Sequence, residues 1–211
     1  MPSMNVEQLV VGFDLDMTLI DPRDGVAAAM AALESELGAG IDVEWVINNL
    51  GPSAEMVLAR WVSPESVDRA AWRYRELFED IGIATTKAMP GAVDAVQAVR
   101  AAAGKLVVVT AKWERHARAS LEAVDISADA VFGLRFGAGK ADALLAHRAA
   151  IYVGDHPADV LAARAAGAFA VTVASGPASS YELAEAGADV VLDSLHDFPA
   201  WLDDHLRESC R

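Results

Sequence analysis

Short runs of apolar, largely β-branched residues recur along the chain at intervals that a helix can fill. Leu9–Phe13, Leu106–Thr110, Ile151–Gly154, Ala168–Val173 and Val190–Leu192 are such runs, with a weaker one at Val131–Phe136. Each is continuously apolar rather than alternating, which predicts strands buried on both faces. Between them, Gly91–Ala103, Glu114–Val124, Lys140–His147, Ala158–Ala166 and Tyr181–Ala186 space their apolar residues at helical period. The tail, Asp197 to Arg211, predicts a terminal helix. Strands that alternate with helices predict an α/β fold, a parallel sheet with helices on both faces.

One interval breaks the alternation. From Asp21 to about Ala88 nothing reads as a strand, and Arg23–Leu37, Val43–Leu50, Ala54–Trp61 and Pro64–Ile81 read as helices. Ser63-Pro64-Glu65 supplies a cap residue followed by proline at the first helical position. The expected organisation is a core of residues 1–20 and 89–211, interrupted by a small all-helical domain at 21–88. Three of the five tryptophans, Trp45, Trp61 and Trp72, fall in the insert and are expected to form its own core.

Ligands of open α/β sheets bind beyond the carboxyl ends of the strands. The conspicuous polar residues of this chain fall there. The first strand runs into Asp14-Leu15-Asp16-Met17-Thr18, the second into Thr110-Ala111-Lys112, and a later one into Asp155-His156-Pro157-Ala158-Asp159. Lys140 follows the turn Gly137-Ala138-Gly139. A carboxylate placed directly after an apolar strand is costly unless something compensates it. Taken singly, Asp155 reads as a helix N-cap, Thr110 as a strand residue and Lys140 as a solvated lysine. Taken together they suit phosphoryl transfer through a carboxylate nucleophile. Such chemistry needs a cation to bridge two anions, and Mg²⁺ is the hard, oxygen-loving choice. Asp16 lies two residues beyond Asp14 and points to the same side, placed to protonate a leaving oxygen and then to deprotonate water.

In this order DLDMTL, VVVTAK, the isolated GK and VGDHPAD resemble the four motifs of the haloacid dehalogenase-like (HAD) superfamily. The helical insert after the first motif is similar to the cap of its phosphoglycolate-phosphatase-like branch. The resemblance spans roughly Val10 to Val173. It implies a Rossmann-like core with Asp14 as nucleophile, and Asp16 as general acid/base whose main-chain carbonyl also binds Mg²⁺. It further implies that Thr110 and the Ala111 N–H hold the transferring phosphoryl group and that Lys140 neutralises nucleophile and phosphate. Asp155 would bind Mg²⁺ and Asp159 would support Lys140 and the metal. Asn48–Ser53, with Gly51 and Ser53, occupies the place of the substrate-specificity loop. Asp21-Pro22 and Met89-Pro90-Gly91 would be the hinges.

The chain departs from the family pattern at Met17, where glycine is usual, at Ala111, where asparagine is frequent, and around Lys140, which lacks flanking prolines. Lys112 is the alternative cation, and His156, in place of a common serine, is expected at the surface or behind the site. Dehalogenases of the superfamily lack the second carboxylate, so Asp16 argues against that reaction. A Schiff-base hydrolase needs a cap lysine, and Asp21 to Ile81 contains none. A phosphatase acting on a small phosphorylated metabolite is expected, with a sugar phosphomutase and a non-catalytic binding protein as alternatives. Arg23, Arg60 and His116 are candidate contacts for a substrate anion. Gly133–Lys140 approaches a P-loop, but its first glycine is one residue out of place and Ala141 follows the lysine.

Composition narrows the partners. A net charge of -14 argues against sequence-independent nucleic-acid binding, which needs a basic face, but not against an anionic substrate. No apolar run approaches the roughly 20 residues of a membrane span, and MPSMNVEQ lacks the pattern of a secretory leader. With Cys210 the sole cysteine, the expectation is a cytoplasmic protein without an internal disulfide. A homodimer stays open.

Overall fold

The computed structural model describes residues 8–209, so Cys210 and the end of the expected tail helix lie outside it. Its strands are β1 (Val10–Phe13), β2 (Ile20–Asp21), β3 (Lys87–Ala88), β4 (Lys105–Val109), β5 (Ala130–Phe132), β6 (Ile151–Gly154), β7 (Phe169–Val173) and β8 (Val190–Leu192). The insert carries α1 (Arg23–Leu37), α2 (Val43–Ile47), α3 (Ala54–Leu58) and α4 (Val67–Leu77). The remaining helices are α5 (Ala92–Ala101), α6 (Glu114–Ala123), α7 (Ala141–Ala146), α8 (Pro157–Ala166), α9 (Ser180–Glu185) and α10 (Phe198–Ser209). No helix among the described residues is long and apolar enough to cross a membrane.

Six strands form one parallel sheet in the order β5-β4-β1-β6-β7-β8. Side chains alternate across it with period two. Val11, Phe13, Leu106, Val108, Ile151, Val153, Val171 and Val173 join α5, α6 and α10 on one face. Val10, Val107, Val109, Tyr152 and Ala170 join α7 and α8 on the other. Both faces are covered, which is why the strands read as unbroken apolar runs. Burial of this kind stabilises by about 25 cal/mol per Å² of apolar surface. The order steps outward in both directions from β1, so a crevice opens beyond the carboxyl ends of β1, β4 and β6.

The insert buries a separate apolar cluster that includes Val26, Met30, Leu33, Val46, Leu58 and Phe78. Trp45 and Trp61 pack at its edge, with ring centroids 5.5 Å apart. Trp72 corrects the expectation. It is 54% exposed, and its ring lies 5.6 Å from that of Trp113 in the α/β core. Helical period places it on the outer face of α4, where only the neighbouring body can cover it.

Three further expectations need correction. The junction is not devoid of strand, because β2 and β3 pair antiparallel, Ile20 with Ala88 and Asp21 with Lys87. Two-residue strands are too short to show a period. The long helix expected at Pro64–Ile81 is broken into a 3₁₀ turn at Pro64–Ser66, α4, and a π turn at Phe78–Gly82. The helices expected at 43–50 and 54–61 stop at Ile47 and Leu58.

Candidate active site

β1 ends at Phe13, and the Asp14 N–H still donates to the Val153 carbonyl of β6 at 2.8 Å. The backbone then turns sharply. Met17 adopts φ 64°, a left-handed conformation costly for a residue with a side chain. The Leu15 carbonyl accepts from the Thr18, Leu19 and Ile20 N–H groups, and three further bonds hold the turn. The Met17 N–H donates to the Ile20 carbonyl, the Ser175 hydroxyl donates to the Met17 carbonyl at 2.7 Å, and the Thr18 hydroxyl donates to Asp155 Oδ1 at 2.8 Å. The loop survives without glycine because its neighbours fix it.

Lys140 is 3% exposed, so it is not the solvated lysine that its type alone suggests. Its ammonium lies 2.9 Å from Asp14 Oδ1 and donates to Asp159 Oδ1 at 2.6 Å. The Tyr152 hydroxyl bonds the Val109 carbonyl at 2.9 Å and lies 3.4 Å from the same Asp159 oxygen. Asp159 Oδ2 accepts the His156 N–H. Glycines make room for this cluster. A Cβ on Gly154 would fall 2.4 Å from the Asp159 carboxyl, and one on Gly176 would fall 1.8 Å from Asp155 Oδ2.

Asp14, Asp155 and Asp159 bring carboxylate oxygens within 4.8 Å of one another, all three side chains buried. Desolvation pushes Asp14 up to about 7, with Asp159 and Asp16 adding to the rise and Lys140 opposing it. Burial, then Asp14 and Asp159, raise Asp155 well above the usual carboxylate range. One ammonium does not balance three carboxylates. Asp14 Oδ1 meets the Lys140 ammonium at 2.9 Å, and that ammonium is shared with Asp159. Asp159 is engaged by Lys140 and a backbone N–H, which leaves Asp14 and Asp155 as the open donors. Hard oxygen donors at this spacing fit a divalent metal ion.

The other expected residues are placed as follows. Thr110 is buried one residue past β4, its hydroxyl accepting the Lys112 N–H at 3.1 Å. Asp16 pairs with Lys112 at 2.9 Å, so the alternative cation serves the second carboxylate. Asp16, Ala111, Gly51 and Ser53 line one cavity of about 60 Å³ between the insert and the core. The Ser53 hydroxyl is used as the cap of α3, accepting the Met56 N–H. His156, rather than Asp155, caps α8, its Nδ1 accepting the Ala158 N–H at 3.0 Å. Arg23 pairs with Asp21, and Arg60 stacks 4.0 Å from the Trp45 ring centroid; neither lines the cavity. Sequence reasoning missed Thr18, Tyr152, Gly176 and Arg75. Thr18 stands inside the first motif, and Tyr152 is the one polar side chain of its strand, so both carried a signal. A glycine in a loop and one arginine among several on α4 carried none.

The family model described as haloacid dehalogenase-like hydrolase matches residues 11–164, and a HAD-hydrolase-like model matches 133–198. A phosphoglycolate phosphatase of Chromobacterium violaceum is 32% identical over 221 residues, covering 91% of this chain and 96% of that protein. A haloacid dehalogenase-like hydrolase of Streptococcus pneumoniae superposes with TM-score 0.80 at 23% identity, over 94% of this chain and 98% of the other. A structure titled putative β-phosphoglucomutase, from Bacteroides vulgatus, superposes with TM-score 0.72 at 19% identity, over 95% and 89%, a likeness of fold alone. With the family match, the curated relative and the sheet order in agreement, this chain belongs to the haloacid dehalogenase-like hydrolases, in the phosphatase branch that carries a helical cap after the first motif.

Proposed function

We propose that the chain is a Mg²⁺-dependent phosphatase that hydrolyses a small phosphomonoester of the phosphoglycolate type through an aspartyl-phosphate on Asp14. The observation that carries this is the convergence of Asp14, Asp155 and Asp159 around Lys140 at the switch point of the sheet. The named activity of the Chromobacterium violaceum relative supports the substrate class.

An Asp14 oxygen attacks phosphorus as the bond to the ester oxygen breaks. Asp16 gives that oxygen a proton, then takes one from the water that attacks the phosphoryl group, and the Asp14 carboxylate leaves. Lys112 orients Asp16. Lys140 balances the charge of Asp14 and, through it, of the phosphoryl group. Thr110 and the Ala111 N–H hold the equatorial oxygens. Asp14, the Asp16 carbonyl and Asp155 would hold the metal, with Asp159 fixing Lys140. When bound, Mg²⁺ supplies the positive charge that lets two anions meet.

Residues 21–88 act as the cap and 1–20 with 89–211 as the core, a division supported by the separate apolar cluster of the insert. The cap excludes water from the crevice.

The test is phosphate release from a panel of small phosphate esters, with Mg²⁺ and with chelator, for wild type and Asp14→Asn. Mg²⁺-dependent release that the substitution abolishes is expected. Release unaffected by the substitution contradicts the assignment of Asp14.

A further inference from the structure

The cavity between cap and core that Asp16 and Ala111 line is lined by two further polar side chains, one from each body. α4 brings Arg75 to it from the cap, and α6 brings His116 from the core. The Arg75 side chain is 13% exposed. Among the described residues its guanidinium has one partner, Glu55, reached through Nη2 at 2.5 Å. Nε, Nη1 and the second Nη2 hydrogen stay open, enough to grip a planar anion with two parallel bonds. Glu55 holds the fork in place.

The other cations near the cavity are committed. Lys112 serves Asp16, and Lys140 serves Asp14 and Asp159. His116 is 2% exposed, and its Nε2 makes no hydrogen bond; the nearest carboxylate, Glu79, is 3.7 Å away. Burial, then Lys112 and Arg75, push its imidazole down to about 4, so it stays neutral at physiological pH. A buried ring nitrogen without a partner is costly unless a ligand supplies one.

There is space for such a ligand. At about 60 Å³ the cavity is several times the roughly 10–15 Å³ that one water molecule needs, so a small carboxylate fits. Val26, Met30 and Val57 close the remaining wall with apolar surface.

We propose that Arg75, beside the ring of His116, binds a carboxylate at the end of the substrate remote from the phosphoryl group, and so selects short phosphorylated acids over uncharged esters. This rests on the phosphatase assignment above and goes beyond it by naming the residue that reads the substrate.

The experiment compares kcat/KM for phosphoglycolate and for ethyl phosphate, which differs by a methyl group in place of the carboxylate. Wild type, Arg75→Gln and Arg75→Lys are assayed with Mg²⁺, and thermal unfolding of each is recorded. Wild type is expected to prefer phosphoglycolate. Arg75→Gln lowers the ratio of the two kcat/KM values by about tenfold to a hundredfold, the worth of a charge-assisted hydrogen bond, mainly through KM for phosphoglycolate. Arg75→Lys recovers part of the preference. A wild-type ratio near one overturns the proposal without any variant. So does a folded Arg75→Gln that slows both esters equally, as a merely structural residue would. Release of phosphate from neither ester by wild type overturns the phosphatase assignment instead, and this proposal with it.

Discussion

Replacing Asp14 by asparagine removes the group assigned as nucleophile, yet it stabilises the metal-free protein. Burial drives the effect. The folded state holds the Asp14 carboxyl up at about 7, against an ordinary value of 3.8. Below about pH 4 the group is protonated in folded and unfolded chain alike and costs nothing. Between about pH 4 and 7 the unfolded chain releases the proton while the folded chain keeps it. Stability therefore falls by about 1.4 kcal/mol per pH unit. Above about pH 7 the cost is constant, on the order of 4 kcal/mol. Asp155, raised beside it, titrates with Asp14 as a pair, so the slope belongs to both. Asparagine carries no charge to desolvate, and Lys140 keeps Asp159 at 2.6 Å. Urea unfolding in chelator, at pH 5 and pH 8, measures the difference. The variant is expected to gain more at pH 8, with a midpoint of thermal unfolding raised by on the order of 10 °C. With Mg²⁺ the gain shrinks or reverses, because ligand binding then favours the wild type. A variant less stable than wild type at pH 8 in chelator would refute the reasoning, as would a gain that does not change with pH.

Other substitutions probe the same cluster from different sides. Lys140→Met strands Asp14 and Asp159 without a cation and is expected to cost about 3–5 kcal/mol in chelator-treated protein at pH 8; equal urea midpoints contradict this. Gly176→Ala places a methyl group where Asp155 Oδ2 now lies, so calorimetric titration with Mg²⁺ is expected to show weaker binding, and an unchanged Kd contradicts it. Met17→Gly relieves a left-handed backbone worth about 1–2 kcal/mol but forfeits a buried side chain worth about 2 kcal/mol and adds a glycine entropy cost of about 0.5–1 kcal/mol. The balance is a net loss of up to about 2 kcal/mol by urea unfolding, and a gain in stability contradicts it.

The sheet was legible because its strands are buried on both faces, which leaves continuous apolar runs such as Leu106–Val109. The acidic motif residues stood out because carboxylates after such runs are costly. What stayed hidden depended on contacts distant in sequence. Lys140 looks like any lysine until α8 brings Asp159 against it, 19 residues on. The capping role of His156 was hidden because Asp155 is the better cap by residue type, and Thr18 engages that aspartate elsewhere. Trp72 was misplaced because helical period identifies a face without naming what covers it. Arg75 was overlooked because α4 carries several charged residues, and only the fold distinguishes the one that lines the cavity.

The most direct measurement is acid quench of the enzyme during turnover with phosphoglycolate and Mg²⁺, followed by mass spectrometry of the peptide that contains Asp14. A phosphoryl group on Asp14, absent from the Asp14→Asn variant together with turnover, is the predicted result. Phosphate released with no adduct on that peptide, and turnover retained by the variant, would contradict the account.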